Sequence, residues 1–137
     1  MSGVSYTQAL DRAIAIALHL EATGDLHQSL DVAFSRSPHP QARAAATGLA
    51  YTLAARWGVV DRILEEVQGE KLSASTSLLR AVLRVGATEV LWSRKHPVEV
   101  SKALGKVLKS KTSPRILPRI RWVLKKVANF SWPRPRN

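Results

Sequence analysis

The residues from Ser73 to Trp92 constrain the fold more than any other part of this chain. Ser73 stands where a helix N-cap is expected, and apolar residues recur at helical spacing to about Trp92. A helix that is apolar around most of its circumference belongs in the middle of a bundle. The segment therefore predicts a helical domain assembled around it. Its apolar positions are Leu78, Leu79, Val82, Leu83, Val85, Val90 and Leu91.

Six further helices are predicted from start and stop signals, and no stretch alternates in the manner of a strand. Asp25 is placed to cap the second helix, while Pro40 and Pro97 suit the first turns of the third and sixth. The expected fold class is all-α, with about seven helices. The remaining signals are Ser5 with Gln8 for the first helix, Gly24 for its end, Gly58 for the end of the third, residues 59–67 for the fourth, and Ser113-Pro114 for the start of the seventh.

The chain of 137 residues has the size of one domain. We expect residues 1–130 to form this domain and residues 131–137, which hold two prolines and two arginines, to form an extended basic tail. Cysteine is absent, which excludes disulfides, thiolate nucleophiles and zinc fingers. No signal peptide is apparent and no segment reaches about 18 uninterrupted apolar residues, so a cytoplasmic location without membrane attachment is expected.

Charge is divided unevenly along the chain. Residues 1–70 carry 5 basic and 8 acidic residues, whereas residues 71–137 carry 16 basic and 2 acidic residues. From Lys102 onward there are eleven Lys or Arg residues and no Asp or Glu. Such a region attracts polyanions, and nucleic acid is the natural partner because neutralised phosphates release counterions. An ordinary solvated surface is the alternative, and it explains single lysines better than so long a run.

The last two predicted helices each carry positive charge on one face when they are projected at about 100° per residue. On the sixth helix, Lys102, Lys106 and Lys109 form a stripe opposite the apolar residues. The seventh helix has a comparable stripe, in which an aromatic side chain lies among the cations. Its members are Arg115, Arg119, Trp122 and Lys126, flanked by Arg121 and Lys125.

Trp122 indicates which kind of polyanion this stripe would bind. Cations follow phosphates, while an aromatic ring offers a platform on which an unpaired base stacks, at about 1–3 kcal/mol per base. The alternative places Trp122 in the core, against the fifth helix or the tail, since tryptophan is usually mostly buried. The predicted RNA-binding residues are Lys102, Lys106, Lys109, Lys111, Arg115, Arg119, Arg121, Trp122, Lys125, Lys126, Arg134 and Arg136.

No catalytic constellation is apparent in the sequence. The four histidines are scattered, and His19, at the apolar edge of the first helix, is interpreted as structural. The seven glycines never form the closely spaced pattern of a phosphate-binding loop. The sequence accordingly predicts a protein that is not an enzyme and that needs no metal or cofactor.

Residues 83–92 carry a resemblance to a known family. Their sequence, Leu-Arg-Val-Gly-Ala-Thr-Glu-Val-Leu-Trp, resembles the Leu-Arg-x-Gly-x-Tyr-Glu-Leu-Leu segment of the NusB/RsmB-like family. Two similar blocks follow in the family's order, His96-Pro97 with residues 100–104 and then residues 120–127. The resemblance covers about residues 40–128, and the first two helices fit by pattern alone.

This resemblance implies an all-helical RNA-binding domain made of two packed helical subdomains. Members occur alone, as an antitermination factor, and at the N-terminus of RsmB-type rRNA cytosine-5 methyltransferases. Arg84 and Glu89 match family positions, and both are interpreted as structural. The antitermination factor has an arginine-rich start to its first helix that contacts RNA, whereas this chain has only Arg12 there. The RNA surface is therefore expected on the last two helices.

Three functions are weighed on these grounds. The first is a non-catalytic protein that binds rRNA or nascent transcript through the last two helices and the tail. The second is an adaptor that docks a separate rRNA methyltransferase, a ribosomal protein or the transcription machinery. A DNA-binding protein fits less well, because no helix-turn-helix signature is present. The sequence does not name the RNA or the oligomeric state.

Overall fold

The computed structural model describes residues 3–35 and 39–130, and within these ranges the chain forms seven α-helices and two short 3-10 turns with no strand. The expected all-α fold is confirmed. None of the described helices is long and apolar enough to cross a bilayer. The helices are α1 (Gly3–Thr23), α2 (Leu26–Ala33), α3 (Pro40–Ala55), α4 (Trp57–Gln68), α5 (Ser77–Leu91), α6 (Pro97–Leu108) and α7 (Leu117–Ala128), and the 3-10 turns are Leu72–Ala74 and Pro114–Ile116.

Four of these helices, α2, α3, α5 and α6, begin at side chains that cap them. The Asp25 carboxylate accepts a hydrogen bond from the backbone N–H of Gln28 at 3.0 Å, which confirms the predicted cap of α2. The imidazoles of His39 and His96 each accept a hydrogen bond from the backbone N–H two residues later, at 3.2 Å. A proline directly follows each histidine as the first residue of the helix. Both histidines thus hold a helix start, a role that the sequence pattern did not reveal.

Two predicted boundaries in the middle of the chain are wrong. Thr76 caps α5, because Ser73 already lies within the preceding 3-10 turn. Gly58 does not end α3, since the chain turns at Arg56 and Gly58 lies in the first turn of α4. At α5, Thr76 supplied the same kind of capping signal three positions after Ser73.

Two other predicted starts also differ from the structure. α1 begins two residues before Ser5, so the predicted cap lies inside the helix and is buried. The Gln8 side chain, expected to complete that cap, instead accepts a hydrogen bond from the backbone N–H of His39 at 3.2 Å. Ser113 does cap a helical turn as predicted, but this is the 3-10 turn, and α7 itself begins at Leu117.

α5 occupies the middle of the molecule, as its sequence predicted. It contacts α1, α3, α4, α6 and α7, and every residue from Ala81 to Val90 is buried. Gly86 faces α7 so closely that an added Cβ atom would lie 2.9 Å from Leu124 Cδ1. Because packed cores tolerate added atoms poorly, the glycine allows this close approach of α5 and α7.

The helices form two groups that share one core. α1, α2 and α3 pack together, α4, α6 and α7 pack around α5, and contacts of α1 with α5 and α6 join the groups. One hydrophobic cluster contains buried residues of both groups. The helical patterns of the fifth, sixth and seventh helices predict that Leu83, Leu91, Leu104, Ile120 and Val123 are buried together. Leu91 is only partly buried, and the other four are fully buried.

A network of ion pairs centred on Arg84 connects α1, α4 and α5. Arg84 is 5% exposed, and it donates hydrogen bonds to the Asp61 carboxylate at 2.7 and 2.9 Å and a further one to Glu21. Its guanidinium carbon lies 4.1 Å from the centroid of the Trp57 ring. Hydrogen bonds from Arg80 and from Arg84 lower the pKa of Glu21 from its usual 4.5 to about 2. The structural interpretation of Arg84 is therefore confirmed.

Glu89 is a second buried charge with a structural role. Its carboxylate accepts hydrogen bonds from the hydroxyls of Tyr6 at 2.5 Å and Ser93 at 2.6 Å, and the Lys95 ammonium lies 3.5 Å away. Burial and the hydrogen bond to Glu89 raise the pKa of the Tyr6 hydroxyl. These contacts fasten the loop after α5 to α1, which confirms the interpretation of Glu89.

Candidate nucleic-acid interface

The lysines of α6 face solvent because the apolar residues of this helix face inward. Val100, Leu104 and Leu108 are buried, each at most 1% exposed. The stripe of Lys102, Lys106 and Lys109 is exposed on the opposite side, as the helical spacing predicted. Among the described residues no carboxylate forms an ion pair with any of these lysines. α6 therefore presents three uncompensated positive charges over two turns.

α7 presents a second set of cations, because it too has an apolar inner face and a basic outer face. The helix is entered through the turn in which Ser113 Oγ accepts a hydrogen bond from the Arg115 N–H at 3.3 Å. Its inner face buries Ile120, Val123, Leu124 and Val127 completely. The exposed residues of the outer face are Arg121, Trp122, Lys125 and Lys126.

Trp122 is a surface residue and is not buried against α5, while the tail, the other packing partner considered, lies outside the described residues. Its side chain is 45% exposed, and the Lys126 ammonium lies 4.9 Å from the centroid of its ring. A cation at this distance from an exposed ring contributes only about 0.5–1 kcal/mol. Neither this weak contact nor burial of the ring therefore explains why a tryptophan occupies this position.

A shallow cavity of about 320 Å³ lies beside this ring, and we call it the Trp122 recess. It is lined by Leu117, Pro118, Arg121, Trp122 and Lys125. The sequence interpretation missed the first two of these residues. Pro118 precedes Trp122 by one helical turn and so lies on the same face, which was the available signal.

Two of the predicted RNA-binding cations are already paired with acidic residues. Lys111 Nζ lies 3.2 Å from Asp11 Oδ1 of α1. Arg119 pairs with Glu70 and donates a hydrogen bond to Gln68 Oε1 at 2.8 Å. A phosphate would have to displace these carboxylates, so the two side chains are less available than the stripe on α6. The remaining predicted residues Arg134 and Arg136 lie outside the described residues, as does Trp132.

The cations near the start of α7 are unfavourable for the helix itself, whereas Lys125 and Lys126 in its last turn are favourable. The first turn of α7 contains no acidic residue, Arg115 lies just before it, and Arg119 and Arg121 follow in its first half. The helix macrodipole is positive at this end and disfavours cations there by about 0.3–1 kcal/mol each. The helix macrodipole thus gives no reason for Arg115 or Arg121, whereas Arg119 is held by Glu70 and Gln68.

The histidines and carboxylates do not form a second site in the part of the chain that the structure describes. No three His, Asp or Glu side chains gather there as metal ligands would. His19 Nδ1 lies 2.9 Å from Ser29 Oγ and joins α1 to α2, which confirms its structural interpretation.

Three solved structures share the fold described above. A chain from the crystal structure of a plectonemic RNA supercoil is 17% identical, with a TM-score of 0.83, over 94% of this chain and 96% of that one. A chain from the crystal structure of antitermination factors NusB and NusE in complex with dsRNA is 17% identical, with a TM-score of 0.82, over 92% and 97%. The solution structure of NusB from Aquifex aeolicus is 18% identical, with a TM-score of 0.79, over 91% and 88%.

The comparison of sequences gives the family. A search of curated proteins finds no match. The model of the NusB family, however, matches residues 7–104. This match includes most of α1 and all of α2, which the motifs had supported by pattern alone. It ends within α6, so all the basic residues of α7 lie beyond it. Since it covers most of the chain, the resemblance is confirmed, and the chain belongs to the NusB family.

Proposed function

We propose that this protein is a non-catalytic RNA-binding protein that contacts rRNA or nascent transcript through the exposed faces of α6 and α7. The observation that carries the proposal is Trp122, which lies exposed on α7 among the exposed cations Arg121, Lys125 and Lys126. Cations alone would serve any polyanion, whereas an exposed indole beside them suits a polyanion that also offers unpaired aromatic bases. The family fold supports the proposal, because related chains occur in crystal structures that contain RNA.

The contribution of each predicted residue follows from its surroundings. The side chains without an ion pair among the described residues are proposed to bind phosphates directly. Lys111 and Arg119 join them when RNA displaces Asp11 and Glu70. The tail residues Arg134 and Arg136 are proposed to extend the same surface, and residues 1–130 to act as one binding domain. The proposed direct contacts are Lys102, Lys106, Lys109, Arg115, Arg121, Lys125 and Lys126.

A protein adaptor is the second candidate function. One related crystal structure contains two antitermination factors, NusB and NusE, together with dsRNA. By analogy, this chain would dock a ribosomal protein, a separate rRNA methyltransferase or the transcription machinery. The two functions are separated by whether the purified protein binds RNA alone at moderate salt.

Reversing the charge of the α6 stripe should weaken RNA binding. With Lys102, Lys106 and Lys109 changed to Glu, we expect about tenfold or greater loss of affinity for a ten-nucleotide single-stranded RNA. Because each phosphate contact contributes about −0.7 to the salt slope on single strands, that slope should also fall in magnitude by about 2. Fluorescence anisotropy over a series of salt concentrations measures both quantities.

The matched control reverses three other exposed arginines, Arg43, Arg56 and Arg62, which lie on α3, at its C-cap and on α4. It changes the net charge by the same amount and should affect binding much less. If both triple variants lose affinity and salt slope equally, overall charge and not the surface of α6 and α7 is responsible.

Trp122 should contribute to affinity through stacking. Trp122→Ala should lose about 1–3 kcal/mol of binding free energy and Trp122→Phe part of that loss, because the smaller ring still stacks. Binding should quench the Trp122 fluorescence, assigned by comparison with Trp122→Phe. Thermal unfolding should change little, because the side chain is exposed. A Trp122→Ala variant that binds single-stranded RNA as tightly as the native protein contradicts stacking and leaves phosphate contacts alone, with weak sequence preference.

A further inference from the structure

The turn between α6 and α7 contains a second recess next to the Trp122 recess. It has a volume of about 350 Å³, and Gly105, Leu108 and Lys109 of α6 face Pro114 and Leu117 across it, with Thr112 and Ser113 on its wall. We call it the α6–α7 recess. Its volume lies near the lower limit of small-molecule pockets, so it suits one planar ring system and is too small for a helix.

Gly105 keeps this recess open. A Cβ atom at this position would lie 3.6 and 3.7 Å from the two Leu117 Cδ atoms, which is ordinary contact, so nothing in the packing forbids a side chain. A glycine inside a helix nevertheless costs about 1 kcal/mol relative to alanine. Gly86 of α5, by contrast, is required by the close approach of Leu124. Close packing therefore explains why position 86 is a glycine. It does not explain Gly105, for which we infer that the glycine keeps the recess open.

The chemistry of the walls matches the edge and the faces of a nucleobase. Pro114 and Leu117 offer apolar surface to the faces of a ring, above the buried Leu108. Thr112 also lines the recess, and its hydroxyl forms no hydrogen bond with another of the described residues. A hydroxyl both donates and accepts, so it can pair with either kind of group on a base edge, whereas an aliphatic side chain would leave it unsatisfied.

The charges around the two recesses are complementary to one nucleic-acid strand. Leu117 lines both recesses, so they adjoin on the same surface. Lys109 lies at one recess and Arg121 and Lys125 at the other, and the chain has no acidic residue from Lys102 onward. A strand that stacks one base on Trp122 therefore brings its neighbouring nucleotide to the α6–α7 recess with cations available to its phosphates.

We propose that the α6–α7 recess binds the base of a nucleotide adjacent to the one stacked on Trp122, so that the surface holds two consecutive unpaired nucleotides. The inference rests on the proposed RNA-binding function. It goes further by assigning a second base site and by requiring that the bound segment be single-stranded over at least two positions. RNA loops, bulges and ends meet this requirement, and a continuous duplex does not.

Filling the recess tests the proposal. Gly105→Leu places a side chain in the recess, and it should weaken binding to a ten-nucleotide oligoadenosine about tenfold, as expected for the loss of one stacked base. Binding to inorganic polyphosphate, which has charge and no bases, should stay unchanged. The matched control Gly105→Ala adds one methyl group, should raise the melting temperature slightly, and should leave most of the affinity in place.

A second variant keeps the test independent of how Gly105→Leu folds. Thr112→Val preserves the shape and removes the hydroxyl, so it should alter the relative affinities for oligoadenosine and oligouridine while leaving polyphosphate binding intact. Suppose that the native protein binds oligoadenosine in a manner that depends on Trp122, and that Gly105→Leu and Thr112→Val bind it equally well. The second base site is then refuted, and the proposed function stands. If native protein binds neither oligonucleotide, both proposals fail. If Gly105→Leu weakens binding only to a glutamate–tyrosine copolymer, the recess is a site for an acidic protein instead.

Discussion

Replacing Arg84 with alanine should lower the free energy of unfolding by about 3 kcal/mol, near the lower limit for removing one partner of a buried ion pair. The change leaves Asp61 and Glu21 without their shared cation and removes the guanidinium from the face of Trp57. We expect a loss near this lower limit because the side chains of Asp61 and Glu21 are 25% and 27% exposed, so their carboxylates retain part of their hydration. Urea unfolding at neutral pH measures this difference.

Arg80 provides the matched control for Arg84. It pairs with the same carboxylate of Glu21 from a position closer to the surface, so Arg80→Ala should cost about 1 kcal/mol or less. The Glu21 carboxylate also makes the effect dependent on pH. Because its pKa is lowered from 4.5 to about 2, its contribution is complete above pH 4.5 and is lost as the pH falls through 2. The difference between native protein and Glu21→Gln should therefore shrink over that interval. Equal losses for Arg84→Ala and Arg80→Ala would contradict a buried network.

Leu83→Ala is expected to destabilise the protein by about 2–5 kcal/mol. Leu83 is fully buried in the cluster that α5 shares with α6 and α7, so truncation removes apolar contacts and leaves a cavity. Leu91→Ala, on the same helix but at a partly buried position, should cost clearly less. The comparison uses one substitution type on one helix, so helix propensity cancels. A loss at Leu83 below about 0.5 kcal/mol would mean that α5 presents a different face to its neighbours.

Features that depend on near neighbours in the sequence were predicted correctly. The cap at Asp25 and the helix starts at Pro40 and Pro97 depend on backbone groups within three residues. The exposed stripe of Lys102, Lys106 and Lys109 follows from helical spacing once the opposite face is apolar. Errors occurred where two neighbouring residues offered equivalent signals, as Ser73 and Thr76 did before α5. Local chemistry alone does not choose between such positions, and tertiary packing does.

The candidate site shows the limit of local reasoning more clearly. The sequence correctly placed positive charge on α6 and α7, but it gave no signal that Asp11 pairs with Lys111 or that Glu70 pairs with Arg119. These partners come together only when α1 packs on α6 and α4 packs on α7. The α6–α7 recess was missed for the same reason, since it depends on the relative placement of two helices. The exposure of Trp122 was left open and required the folded structure.

The central position of α5 has a consequence for how the chain acquires its structure during synthesis. A nascent chain that has emerged only as far as Gln68 contains α1 to α4, but it lacks the helix against which α1, α3 and α4 bury their apolar faces. Those faces stay open to water, and to other chains, until about twenty more residues have been added. Assembly of the shared core is therefore delayed until α5 has emerged, when the basic helices are also about to follow. The chain is therefore most prone to aggregation during this interval, before α5 covers the apolar faces.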